Sequence, residues 1–146
     1  MILSGPAGTG KTLSCLWKMK QCAENTPGFR GAIVRRTRVS LTTTGLVTFE
    51  RDVLGLDHPL VIHGPRRGSR NTYRFPRGGD IEVLGLDHPS KLLSGDFDLI
   101  HVVQAEELEE DSWETLLTRL RNHVLPFQQV TGDCNPGNPK HWIKLR

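Results

Sequence analysis

Missing from this sequence is any apolar run approaching the ~20 residues that a membrane-spanning helix needs, and no signal peptide stands at its start. The expectation is a protein that works in a host cytoplasm without a membrane. Cysteine is scarce. Cys15, Cys22 and Cys134 make no metal-ligand spacing and leave an odd thiol, which speaks against a disulfide framework. Cys15 and Cys22, seven apart, share a helix face and read as buried, reduced thiols. Hydrophobic residues reach only 36%, on the low side, but 146 residues suffice for one α/β domain with its own core. No linker or low-complexity stretch divides the chain. Acidic residues are missing around a cluster of arginines that ends before Asp80, and the net charge of +3 permits an anionic partner.

What is present begins with Gly5-Pro6-Ala7-Gly8-Thr9-Gly10-Lys11-Thr12. This is G-x-x-x-x-G-K-T, the Walker A pattern. Glycines let backbone N–H groups close around a phosphate, and the N-terminus of the following helix adds partial positive charge. Lys11 is placed to reach β- and γ-phosphates, and the Thr12 hydroxyl to ligate Mg2+. The context agrees: Met1 to Ser4 reads as a short strand, and Lys11 to about Ala23 as a helix. Proteins with such a loop usually carry earlier residues that hold the base. Nothing precedes Met1, so either the adenine is gripped from elsewhere or the chain is a fragment.

Asn25 to Gly28 makes a turn, and Gly31 to Thr37 reads as a second strand with a basic carboxyl end. Ligands of open α/β sheets gather at that end, which places Arg35, Arg36 and Arg38 either at phosphate or on a solvated strand end. Ser40 to Leu54 reads as one helix, with Ser40 as its cap. Leu60 to His63, Thr72 to Phe75 and Asp80 to Leu84 read as short β-like pieces, the last two joined by a hairpin turn at Pro76 to Asp80. Arg66, Arg67, Arg70, Arg74 and Arg77 crowd this segment with Tyr73 and Phe75 between them. That mixture suits phosphate and base contact, against the alternative of an exposed basic hairpin with no partner. Val53 to Pro59 recurs unchanged as Val83 to Pro89 with unrelated flanks, a reused turn rather than a repeat architecture. Asp98 to Val103 reads as a buried parallel strand, and Ser112 to Arg121 as a helix capped by Ser112 with Trp113, Leu116, Leu117 and Leu120 on one face. Phe127 to Val130 makes a further strand, and Pro139 to Lys144 a short helix. Together these give a three-layer α/β P-loop domain, with a mainly parallel sheet and a β-hairpin excursion near residues 60 to 85.

The order of these motifs resembles a known family. Walker A is followed by Val34-Arg35-Arg36-Thr37, by Gly85 to Lys91, by the apolar strand, and by Trp113 with Leu116 to Arg121. Asn135-Pro136 and Pro139-Lys140-His141-Trp142 complete it. The sequence resembles, along almost all its length, the N-terminal ATPase portion of the large terminase subunit of tailed bacteriophages, the DNA-packaging motor. The resemblance implies an ATPase domain over residues 1–146, using ATP and Mg2+, without the nuclease domain usual in the family. It implies double-stranded DNA, a portal protein and a small terminase subunit as partners, and it allows a homo-oligomeric ring. By the same resemblance Gln104 or Glu106 handles the attacking water and Arg35 or Arg36 stabilises transition-state charge. The loop with Asp133 and Asn135 would sense the γ-phosphate and couple it to DNA movement.

One departure bears on activity. In the family the apolar strand ends in two polar or acidic groups, and here Val103 and Gln104 stand there. Valine cannot support a metal's water shell, and glutamine can orient water but not accept its proton. Loss of a general base costs ~10²–10⁴-fold, so hydrolysis is expected to be very slow. Glu106, and Asp133 on the next strand, are candidate substitutes. The alternative reading is a truncated, catalytically weak nucleotide- or DNA-binding remnant of a prophage.

Overall fold

The computed structural model, which describes every residue except Ala7, Gly8 and Pro136, builds one sheet from β1 (Ile2–Ser4), β2 (Arg30–Arg35), β3 (Thr72–Arg74), β4 (Asp80–Gly85), β5 (Leu99–Val102) and β6 (Gln129–Cys134). The order across it is β1-β6-β5-β2-β4-β3. All neighbours are parallel except β3, which runs antiparallel to β4. Period-two alternation sends side chains to both faces. Ile33, Ile81, Val83, Leu99 and Val103 meet one helical layer. Ala32, Val34, Ile100, Val102 and Val130 meet the other. The sheet is thus buried on both sides, as parallel sheets are.

On the first face lies α1 (Lys11–Asn25), whose buried Cys15, Leu16, Met19 and Ala23 recur at helical spacing. Cys15 and Cys134 are buried free thiols, whereas Cys22, at the edge of the same face, is only half-buried. On the opposite side of the sheet α6 (Glu110–Leu117) buries Trp113 and Leu116. Trp113 approaches the sheet closely because Gly132 has no side chain; a Cβ there would stand 3.0 Å from the Trp113 ring.

The architecture expected from the sequence is present, with local corrections. The segment 40–54 is not one helix. It divides into α2 (Arg38–Thr43), α3 (Gly45–Thr48) and a π-helical turn at Phe49–Leu54. The cap of α2 is Thr37 rather than Ser40: its hydroxyl accepts from the Ser40 N–H at 3.2 Å. Leu60 to His63 is not β-like; α4 (Pro59–Ile62) begins with proline at its first turn and with the His58 ring accepting from the Leu60 N–H. Short apolar runs fit either period, and the cap decided this one. Glu109, not Ser112, precedes α6.

The β3–β4 hairpin is closed by Phe75 and Gly79, and β4 also pairs with β2, so the excursion is fused to the sheet. The two copies of the duplicated heptapeptide enter from different structures, Val53-Leu54 from the π-helical turn and Val83 to Gly85 from β4, and share only the turn that follows. His58 N–H donates to Gly55 carbonyl at 3.0 Å and His88 N–H to Gly85 carbonyl at 3.1 Å, and each turn leads into a short helix, α4 or α5 (Ser90–Ser94). The remaining helix, α7 (Trp142–Leu145), stacks Trp142 against Trp113 with ring centres 5.8 Å apart. Among the described residues no helix is long and apolar enough to cross a membrane.

Candidate nucleotide site

Gly10 starts α1 with φ 76°, a left-handed conformation that glycine adopts without strain, and its carbonyl receives the Ser14 N–H at 3.0 Å. The earlier N–H groups of the first helical turn have no partner within the helix. Ala7 and Gly8 of the Walker A stretch lie outside the described residues. Lys11 Nζ donates to the carbonyls of Gly5 (2.6 Å) and Pro6 (2.7 Å) and stands 3.3 Å from the Thr9 hydroxyl. Its charge is therefore held over the loop. A cleft of about 470 Å3 opens beside it. Thr9 to Thr12 form one wall, Thr44, Gly45, Thr48 and Arg51 the facing wall, and Val103, Gln104, Asp133 and Asn135 the floor. That volume is within the range of small-molecule sites.

The floor has a buried polar column beneath it. His101, Thr131 and Asp133 are all nearly or wholly buried, on the neighbouring strands β5 and β6. Thr12 Oγ1 donates to Asp133 Oδ2 at 2.8 Å. His101 Nε2 reaches the same oxygen at 2.9 Å, and its Nδ1 lies 2.9 Å from Thr131 Oγ1. The other carboxylate oxygen accepts from the Gln104 backbone N–H at 3.0 Å. Burial alone would raise the Asp133 pKa, but these donors outweigh it and hold the carboxyl below its usual range. Burial would lower the His101 pKa; Asp133, with Cys15 of α1 alongside, raises it instead. The Cys15 thiol is lowered by His101 despite its own burial. In the sequence Thr12 and Asp133 stand out separately, while His101 reads as part of an apolar strand. Its only signal there is a polar residue set inside an apolar run.

β5 ends at Val102, and Gln104 sits in the left-handed region at φ 52°. Val103 packs into the core at 3% exposure, so it offers the cleft no polar group. Gln104 Oε1 accepts from Arg35 Nη2. Glu106 is not brought back to the P-loop by the early strand end. Its Oε1 faces the Asn135 N–H at 3.4 Å, and its carbonyl meets His141 Nε2 at 2.9 Å. Arg35 is 7% exposed, and all five of its donors are engaged: two with Glu107, at 2.6 and 3.0 Å, one each with Gln104, the Ser40 carbonyl and the Thr44 hydroxyl. Glu107 raises the guanidinium pKa further. Arg36 is exposed and lines a separate depression with Asp87, Glu109 and Ser112. The structure thus places Arg35 behind Gln104 and Arg36 outside the cleft. Arg51, unremarked in the sequence, is the cation on the facing wall, paired with Asp52.

The arginine cluster is partly neutralised from a distance. Glu50, 2% exposed on the π-helical turn, accepts from Arg67 Nε at 2.8 Å, Arg70 Nη1 at 2.5 Å and Tyr73 hydroxyl at 2.8 Å. Arg70 is itself buried at 4% exposure. Arg66, Arg74 and Arg77 remain on the surface, with Arg74 loosely paired to Asp80 at 3.5 Å. No group of three or more His, Cys, Asp or Glu side chains that could hold a metal occurs among the described residues.

No family model matches the sequence, and no curated protein does. Solved structures do. The large terminase of a thermophilic bacteriophage, in complex with ADP, matches 99% of this chain with a TM-score of 0.77 at 17% identity. The fold is the one found in the matching third of that phage large terminase. Another crystal form of that phage's large terminase matches with a TM-score of 0.74 at 16% identity, again over 99% of this chain. The same terminase in complex with ATP-gamma-S matches with 0.71 at 14% identity, also over 99%. The chain spans about a third of the length of these terminase chains: 36% in the ADP complex, 36% in the other crystal form and 34% in the ATP-gamma-S complex.

Proposed function

We propose that this chain is the nucleotide-binding core of a genome-packaging motor of the large-terminase kind, binding Mg·ATP in the cleft between the P-loop and α3. The observation that carries the reading is the 2.8 Å bond from Thr12 of the Walker A stretch to Asp133 across the cleft floor, in a fold shared with terminases solved with ADP and ATP-gamma-S. Phosphates would lie on the first turn of α1, with Lys11 turning from the Gly5 and Pro6 carbonyls to meet them. Thr12 and Asp133 supply hard oxygen donors, which fit Mg2+, an ion held by one or two protein oxygens together with phosphates rather than by a protein cage. Mg2+ held there with nucleotide would neutralise phosphate charge. Double-stranded DNA, a portal protein, a small subunit and ring assembly belong to this reading through the shared fold, and the site of action would be the host cytoplasm.

The test is calorimetry with Mg·ATP on the parent and on Lys11→Ala. Loss of a charge-assisted phosphate contact is worth ~1.5–3 kcal/mol, so binding should weaken about tenfold or more. Equal affinity in both would refute the assignment of the loop. A second reading, a binding module with little turnover, is favoured by the apolar Val103 and by the commitment of Gln104 to Arg35. Steady-state phosphate release by the parent separates the two: the module reading expects none above background.

A further inference from the structure

The strand expected to deliver the site's carboxylate is β5, yet its end offers valine and an amide. The carboxylate on the cleft floor comes instead from its neighbour. Asp133 of β6 reaches Thr12 at 2.8 Å and is fixed from behind by His101 at 2.9 Å, a side chain with no exposure. Its second oxygen takes the Gln104 N–H at 3.0 Å, which ties the two strand ends together. Three donors on two oxygens leave this carboxylate one orientation, toward Thr12.

Gln104 is oriented just as firmly. A guanidinium only donates, so the amide atom facing Arg35 is Oε1, and Nε2 is turned away from it. Among the described residues nothing accepts from Nε2, and Gln104 lines the cleft with Lys11 and Thr12. Arg35 cannot swing aside cheaply, since Glu107, Ser40 and Thr44 hold its other donors. Gln104 therefore shows the cleft a donor, suited to a phosphate oxygen and unsuited to taking a proton from water.

We propose that β5 and β6 divide the work in this order: Asp133 of β6, positioned by His101, is the acid that supports Thr12 and its metal, while Gln104 of β5 is a hydrogen-bond donor that distinguishes a terminal phosphate from its absence. This deepens the nucleotide-site reading and rests on it. On this reading the site holds and senses ATP, and the strand end of β5 supplies no proton acceptor to it.

The experiment measures binding of ADP and ATP-gamma-S by calorimetry, in EDTA and with Mg2+, and Mn2+ occupancy by electron paramagnetic resonance. The proteins are the parent, Asp133→Asn, Asp133→Glu, Gln104→Ala and Gln104→Glu, each with its melting temperature. Asp133→Asn should weaken Mn2+ binding in the presence of ADP about tenfold or more while ADP binding in EDTA is kept, and Asp133→Glu should recover part of it. Gln104→Ala should reduce the preference for ATP-gamma-S over ADP several-fold, and Gln104→Glu should reduce it further without raising phosphate release. Unchanged Mn2+ occupancy in Asp133→Asn overturns the acid's assignment, and a tenfold rise of phosphate release in Gln104→Glu overturns that of the donor. Either result leaves the nucleotide site standing if the parent binds ADP. A parent that binds no nucleotide removes the reading and this inference together. Asp133→Asn is read only if it melts as a folded protein; the Gln104 pair tests the division without it.

Discussion

Replacing Glu50 by alanine should destabilise the protein more than any other single charge removal in the arginine segment. The Glu50 side chain is 3% exposed and its partner Arg70 only 5%, so neither charge can turn to water when the other is lost. Tyr73 hydroxyl would lose its acceptor as well, at 1% exposure and packed edge-on against Phe49 at 4.9 Å. Breaking a buried pair by removing one member costs about 3–5 kcal/mol, because a charge is left behind unpaired. For a chain of this size that corresponds to roughly 10 °C in melting temperature. Arg67 is different. Its side chain is 32% exposed, so Arg67→Ala should cost no more than ~1 kcal/mol. Glu50→Leu combined with Arg70→Met should recover much of the loss, since a matched apolar pair carries no desolvation penalty. The assay is thermal unfolding followed by far-ultraviolet circular dichroism, together with urea midpoints. A shift below about 2 °C in Glu50→Ala, or a double variant no better than the single, would refute the idea that buried charge pairing holds the arginine segment to the π-helical turn.

The same division between buried and surface arginines bears on DNA. If the surface arginines meet the phosphate backbone, the triple alanine variant of Arg66, Arg74 and Arg77 should flatten the log–log salt dependence of duplex binding, by about 0.9 for each phosphate no longer neutralised. The slope should be insensitive to Arg70, and an Arg70 variant of unchanged stability with a flattened slope would contradict its burial. Asp98 gives a pH prediction. It has no exposure and accepts from Arg30, Val124 and Leu125 N–H groups and from Asn122 and Gln128 side chains. Burial alone would raise its pKa, but these donors hold it below its ordinary value of 3.8. A depressed carboxyl contributes stability that is present above its unfolded value and is lost as pH falls through the folded value. Asp98→Asn should therefore melt below the parent near neutrality and converge with it in strong acid; parallel curves down to the lowest pH would contradict this. Gly79→Ala should destabilise by a few kcal/mol, because the added Cβ would stand 2.3 Å from the Phe29 carbonyl oxygen, and an unchanged urea midpoint would show that the hairpin can shift.

What the sequence showed of this molecule follows the range of the forces involved. Strands β2, β4 and β5 and helix α1 are set by neighbours within a few residues, and they stand close to where periodicity places them, whereas β6 runs from Gln129 on to Cys134 where the sequence suggested an end at Val130, so that Asp133 lies within the strand. Leu60 to His63 went to helix because a cap two residues earlier outweighed an ambiguous apolar run. The arginine segment looked uncompensated because its acid, Glu50, lies 17 to 23 residues back, in a turn with no acidic run to mark it. At the site, Thr12 and Asp133 could each be suspected from motif and strand end. Their contact, made across 121 residues, and the support of His101 behind it depend on strand order, which no local pattern encodes. Arg35 was legible as a strand-end arginine, but the saturation of its donors by Glu107, Gln104, Ser40 and Thr44 was not.

The edge position of β1 has a consequence for how the molecule comes into being. Ile2, Leu3 and Ser4 pair only with Gly132, Asp133 and Cys134, and the terminal ammonium of Met1 donates to the Val130 carbonyl at 2.8 Å. A ribosome adds roughly 5–20 residues per second, so β1, once made, waits several seconds for β6, its partner in the sheet. Until then the Walker A turn has no sheet beneath it and Thr12 no carboxylate across from it. A nascent chain stopped before β6 would carry the Walker A motif with β1 unpaired in the sheet and Thr12 without its bond to Asp133.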